Sequence, residues 1–146
     1  MSIPPEILSA YQKAFYWVRN SPNILLRLAS VSEEARQLLA KHEADSAVII
    51  TSDNPQSELR SDEENSFYRD QLQQEVIASQ FTFFLTASVD PACQWPDEHG
   101  FFVLDLSPRE ALRLLQKYDQ WAAVWVEKDG GVRLLTRPVE SDPESD

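Results

Sequence analysis

Apolar residues fall in short blocks separated by polar, Pro- and Gly-containing stretches, and the blocks alternate with longer segments of helical period. AFYWV (14–18), NILLRL (23–28), SAVIIT (46–51), QFTFFLTASV (80–89), GFFVLDL (100–106), WAAVWV (121–126) and GVRLLT (131–136) are rich in β-branched and aromatic residues and read as strands. The turn-forming RNSPN (19–23) predicts a hairpin between the first two blocks, and Asp129-Gly130-Gly131 predicts another between the last two. AVII and AAVWV are apolar without alternation, the pattern of central strands covered on both faces.

Helices are expected between the strands. EILSAYQK follows Pro4 and Pro5, which suit a helix start. Three further helices carry a Ser-x-x-Glu capping pattern at Ser30 to Glu33, Ser61 to Glu64 and Ser107 to Glu110, in which each partner satisfies an orphan backbone N–H. Their apolar faces are Val31, Ala35, Leu38 and Leu39; Tyr68, Leu72 and Val76; and Ala111, Leu114, Leu115 and Tyr118. The expected architecture is α/β or α+β, with a single mixed sheet of about five to seven strands packed with three or four helices.

Length and composition bound this picture. A chain of 146 residues suits one core, and 42% hydrophobic with 25% charged residues is ordinary for a globular protein. We expect one globular domain over 1–138 and a disordered acidic tail, VESDPESD, over 139–146. The net charge is −11, from 24 acidic against 13 basic residues, which argues against nucleic-acid binding because phosphates are neutralised by Lys and Arg. An acidic surface suits a protein partner with a basic face and opposes association with anionic membranes. One cysteine, Cys93, allows no intrachain disulfide, and the N-terminus lacks the charge and apolar run of a secretion signal. The sequence reads as cytoplasmic, with its oligomeric state open.

Candidate chemistry is sparse. Three glycines, Gly100, Gly130 and Gly131, form neither a P-loop nor a GxGxxG turn, and His42 and His99 sit in no metal-ligand or hydrolase motif. Asp53, Glu58, Asp62, Glu63 and Glu64 could approach a hard cation, but acids at a helix start already have a reason to be there. We expect no metal and no cofactor. Cys93 with His99 has the residue types of a thiol nucleophile and its base, without a motif that joins them. Two loops are richer. TSDNPQSELRSDEEN (51–65) leaves the apolar AVII block, and SVDPACQWPDEHG (88–100) joins two strands. Asn54, Ser57, Arg60, Glu64, Asn65 and Arg69 would line a crevice at the strand end, as ligand sites do in open α/β sheets, and the same reasoning covers Trp95, Asp97 and Glu98 in the second loop.

Asn54-Pro55-x-Ser57, Glu64-Asn65, Trp95-Pro96-x-Glu98 and Gln120-x-Ala122-x-x-Trp125 together resemble a bacterial family known as domain of unknown function 3293, over about Tyr11 to Leu135. The resemblance implies a small cytoplasmic bacterial protein and no established activity. It adds Gln120 to the candidate ligand or partner contacts. Two expectations follow. One is a non-enzymatic interaction or regulatory module, antitoxin- or immunity-like in one version, with Trp95 as an anchor on an acidic face. The alternative is a small-ligand or enzyme site between the Asn54–Asn65 and Trp95–Glu98 loops. The lack of a recognisable nucleophile, base or metal set leans away from an enzyme.

Overall fold

The computed structural model describes residues 3–137, so the tail expected over 139–146 lies outside the described residues. In chain order the elements are α1 (Pro5–Lys13), β1 (Phe15–Val18), β2 (Ile24–Leu26), β3 (Ser30–Val31), α2 (Glu33–Lys41), β4 (Ser46–Thr51), a 3-10 turn (Pro55–Ser57), α3 (Asp62–Ala78), β5 (Phe83–Val89), β6 (Glu98–Leu104), α4 (Pro108–Lys117), β7 (Ala122–Glu127) and β8 (Gly131–Thr136).

The strands form one sheet in the order β2-β1-β5-β6-β4-β7-β8-β3. Every neighbouring pair is antiparallel, including the expected β1–β2 and β7–β8 hairpins. Two expectations need correction: the sheet has eight strands rather than five to seven, and it is not mixed. The extra strand is the two-residue β3, too short to leave a period in the sequence. The continuous apolar runs do mark central strands covered on both faces, by helices packed on the two sides of an antiparallel sheet. The buried runs of β4 and β7 show this directly.

The sheet curls strongly. Strands β2 and β3 are its opposite edges, yet only Arg27, Leu28 and Ala29 separate them. Laid flat, eight strands would hold those edges about 34 Å apart, whereas three intervening residues reach no more than about 14 Å. The edges must therefore approach one another, giving a nearly closed barrel.

Two apolar clusters fill the two faces. Inside the curl, Tyr16, Val18, Ile24, Leu26, Ile49, Phe102, Val124 and Val132 pack with Ala35, Leu38 and Leu39 of α2, and Tyr11 and Ala14 border this cluster. Outside, Val48, Ile50, Phe101, Val103 and Trp125 pack against Leu72 and Val76 of α3 and Ala111, Leu114 and Leu115 of α4. The expected apolar face of α4 is buried throughout, including Tyr118. Tyr68 of α3 is 37% exposed and Val31 is 73% exposed, because Val31 belongs to β3 and not to a helix.

Capping is as expected at two of the three helices. The hydroxyls of Ser61 and Ser107 accept from the backbone N–H groups of Glu64 and Glu110, each at 3.1 Å. In α2 the cap is Ser32, whose Oγ accepts from Ala35 N at 3.1 Å, and not Ser30. Ser30 and Val31 are paired with Val132 and Gly131 of β8, so the helix cannot begin until that pairing ends.

Candidate functional site

The residues after β4 form a turn held by polar side chains. Asn54, Gln56 and Ser57 all have positive φ, a conformation that costs a non-glycine residue about 1–2 kcal/mol. The surrounding hydrogen bonds fix it. Asn54 and Asn65 pair reciprocally: Asn54 N donates to Asn65 Oδ1 at 3.0 Å, and Asn65 Nδ2 donates to Asn54 Oδ1 at 2.9 Å. Asn54 Oδ1 also accepts from Arg60 N at 3.0 Å, which closes the turn across six residues. Gln56 N donates to Asp119 O at 2.8 Å, tying the turn to the segment before β7.

Asp53 lies beneath this turn with 1% of its surface exposed. Arg69 grips its carboxylate through both oxygens, at 3.2 and 2.7 Å, and His99 N donates to it at 2.8 Å. The Asp53 carbonyl accepts from Gln120 Nε2 at 3.0 Å. Such fork-to-carboxylate pairs combine charge with fixed geometry. Asp53 is therefore fully engaged within the protein, and the cation-binding role considered for it has no free oxygen to offer.

Glu98 connects the two loops. Its Oε2 accepts from Asn54 Nδ2 and from Trp95 Nε1, both at 3.0 Å. Among the described residues no donor meets Oε1, and no Lys or Arg forms an ion pair with Glu98. Burial pushes its carboxyl above the usual range; the Trp95 and Asn54 hydrogen bonds oppose that, and the nearby Asp53 charge adds to it. The hydroxyls of Tyr11 and Tyr16 are also held well above the tyrosine range. Burial is the main cause in both, with Glu98 next for Tyr11, and with Tyr11 and then Glu98 for Tyr16. Tyr16 Oη donates to Tyr11 O at 2.6 Å.

A cavity of about 440 Å³ opens between α1 and the sheet. Its floor is Ile49 and Thr51 of β4 with Ala122, Ala123 and Val124 of β7. Ile7, Ala10 and Tyr11 of α1, with Ala14 just after it, form one wall, and Trp95 and Glu98 form another. No residue of α1 is itself fully buried: Tyr11 packs against the edge of the inner cluster, and the rest of the apolar side of the helix faces the cavity.

The eight sequence candidates divide accordingly. Ser57, Trp95, Glu98 and Gln120 line the cavity. Asn54, Asn65 and Arg69 stand behind it as the frame that fixes the turn and Asp53. Glu64 is exposed at the start of α3, where its Oε1 accepts from Ser61 Oγ at 3.1 Å in the capping box. Trp95 is half-buried with its N–H committed to Glu98. Cys93 is exposed on the loop between β5 and β6. Sequence reasoning missed the α1 wall and Tyr16. The alternation of AFYWV marks Tyr16 as inward-facing, but nothing local shows that α1 returns across the ends of β4 and β7.

A family model described as Protein of unknown function (DUF3293) matches residues 50–123, half of the chain. That span runs from the end of β4 into β7 and contains all eight candidate residues. No curated protein and no solved structure matches.

Proposed function

We propose, for a chain that belongs to the family of unknown function DUF3293, that it is a small-ligand-binding protein whose site is the cavity between α1 and the sheet. One observation carries this reading: a concave space of about 440 Å³, mostly apolar, into which Glu98, Gln120, Ser57 and Thr51 bring polar atoms. Its size and its mix of apolar wall with a few polar groups are those of small-molecule sites. The Asn54, Asp53 and Arg69 network serves this site indirectly, by holding Glu98 and Gln120 in place. No reaction is assigned to it.

A thermal-shift screen of amino acids, amines, nucleosides, sugars and small aromatic acids tests the reading, because a molecule that binds only the folded state raises its melting temperature. Ala10 is exposed on α1 and lines the cavity, so Ala10→Trp should fill the space while leaving the unliganded melting temperature within a few degrees of wild type. A compound that stabilises wild type and not Ala10→Trp supports the site. Equal shifts in both proteins place binding elsewhere and defeat the proposal.

A second reading, the acidic interaction module, draws on a different surface. Leu59 and Phe67 are 65% and 64% exposed, Phe67 packs edge-on against Tyr68, and Arg60 lies over the Tyr68 ring. Aromatic and Arg side chains of this kind anchor protein interfaces. Trp95, half-buried against Glu98, is a poorer anchor than Phe67, Tyr68 and Arg60.

A further inference from the structure

We infer that the cavity takes a cationic amine carried on a largely apolar body, with its N–H groups directed at Glu98 Oε1 and Gln120 Oε1. The inference rests on the ligand-cavity reading and deepens it.

The first argument is the acceptor balance. Both protein donors to Glu98 fall on Oε2, from Asn54 and Trp95, which leaves Oε1 to whatever enters the cavity. Gln120 spends its Nε2 on the carbonyls of Asp53 and Tyr118, so Oε1 is the atom it has left to offer. Thr51 Oγ1 already donates to His99 O and accepts from Asp53 N. Of the polar atoms left over here, the Glu98 carboxylate Oε1 and the Gln120 amide Oε1 can only accept, whereas the Tyr11 and Ser57 hydroxyls can donate or accept, so the two bare acceptors call for a donor-rich group.

Charge gives the second argument. A carboxylate drawn out of water is ordinarily paired with a cation. Asp53 has Arg69, whereas Glu98 has only neutral donors among the described residues. Among the described residues, the charged ones around the cavity are Glu6, Asp90 and Glu98 against Lys13, and Lys13 is exposed at the rim without an ion pair to Glu98. An anionic ligand would meet net negative charge, while an ammonium would supply the missing partner. The third argument is the apolar lining: Ile49, Ala122 and Val124 of the floor and Ile7 of the wall suit a hydrocarbon body and offer side chains without polar atoms.

Three probes of nearly equal shape separate these contributions: phenethylamine, phenethyl alcohol and phenylacetate, titrated against the full chain by protein-observed NMR. The amine should bind at least ~10-fold more tightly than the alcohol, about the discrimination expected of one charge-assisted hydrogen bond, and the acid should bind most weakly. Glu98→Gln should remove most of that preference while still binding the alcohol, and Ala10→Trp should block all three. Alcohol or acid binding as tight as the amine, still blocked by Ala10→Trp, overturns the amine assignment and leaves a ligand cavity of another class. An amine preference that survives in Glu98→Gln overturns the assignment as well. Silence from all three probes rejects it too, and the wider thermal-shift screen then decides whether the cavity binds anything.

Discussion

Glu98 holds a carboxylate where burial disfavours its charge, with two neutral donors on one oxygen and none on the other. Its pKa is raised in the folded chain, so the fold favours the protonated form, and the stability linked to this group is lost as pH rises through the folded pKa. Asp53, Tyr11 and Tyr16 face the same region, and of these Asp53 adds to the upward push. Glu98→Gln keeps an acceptor for Asn54 and Trp95 and removes the charge. The unliganded variant should therefore melt above wild type at neutral pH, and the gap should close as the pH falls below the ordinary glutamate range of about 4.3. Melting curves across that range check it, and a variant less stable than wild type at neutral pH would show that the ionised carboxylate supports the fold. At this scale much was legible. Asn54, Ser57, Asn65, Arg69, Trp95, Glu98 and Gln120 all belong to the cavity or its frame, because polar residues beside apolar strands need partners and those partners are other polar residues nearby. The division between lining and support was not legible, since it depends on where each side chain points.

Among the elements, the start of α2 shows local and tertiary preferences in competition. The Ser30 to Glu33 spacing predicts Ser30 as the cap. The structure uses Ser32 because Ser30 and Val31 pair with β8, and because Ser32 N donates to Gly130 O at 2.9 Å. Gly130 has φ of +92°, and a Cβ there would lie 2.3 Å from Ser32 O, so the strand-to-helix junction and the β7–β8 turn fit only with glycine. Ser32 is buried, and its replacement by alanine should cost about 1 kcal/mol, the usual loss for a Ser N-cap. Ser30→Ala gives up one bond from Ser30 Oγ to Arg27 O near the surface and should cost less, about 0.5 kcal/mol. Urea unfolding of both variants separates the two, and the reverse order would return the cap to Ser30. The pattern-based elements otherwise agree with the structure, including both hairpins and the α4 face, because each is dictated by residues close in sequence.

For the whole molecule the decisive feature is curvature. The sheet closes upon itself so that its short edges approach, its inner face encloses α2, and α1 lies over the cavity. Gly100 sits between Thr86 of β5 and Thr51 of β4 in the register, at the centre of this arrangement. A Cβ at Gly100 would stand 2.4 Å from Ile50 O and 3.1 Å from Thr51 Cβ, which means that β4 and β6 approach more closely than any side chain allows. Gly100→Ala should destabilise the protein by about 1–3 kcal/mol, the range for forced overpacking, and should disturb the adjacent Asp53 and Glu98 positions. Chemical denaturation gives the first quantity, and loss of ligand-induced stabilisation would report the second. A neutral substitution would show that the strands separate at little cost.

What the sequence by itself determined was local: which segments are strands or helices, which strands are covered on both faces, where most helices begin, and which loops gather polar residues. Those follow from side-chain period, capping chemistry and turn residues, all of which act over a few positions. Tertiary structure alone decided that the sheet is wholly antiparallel with eight strands, that it curls until β2 and β3 draw near, and that α1 crosses the ends of β4 and β7. These depend on contacts between distant segments. The same long-range packing sets Glu98 apart from Asp53: both are carboxylates at strand ends beside polar loops, but of the two Asp53 is paired with an arginine, and Glu98 is left facing a cavity.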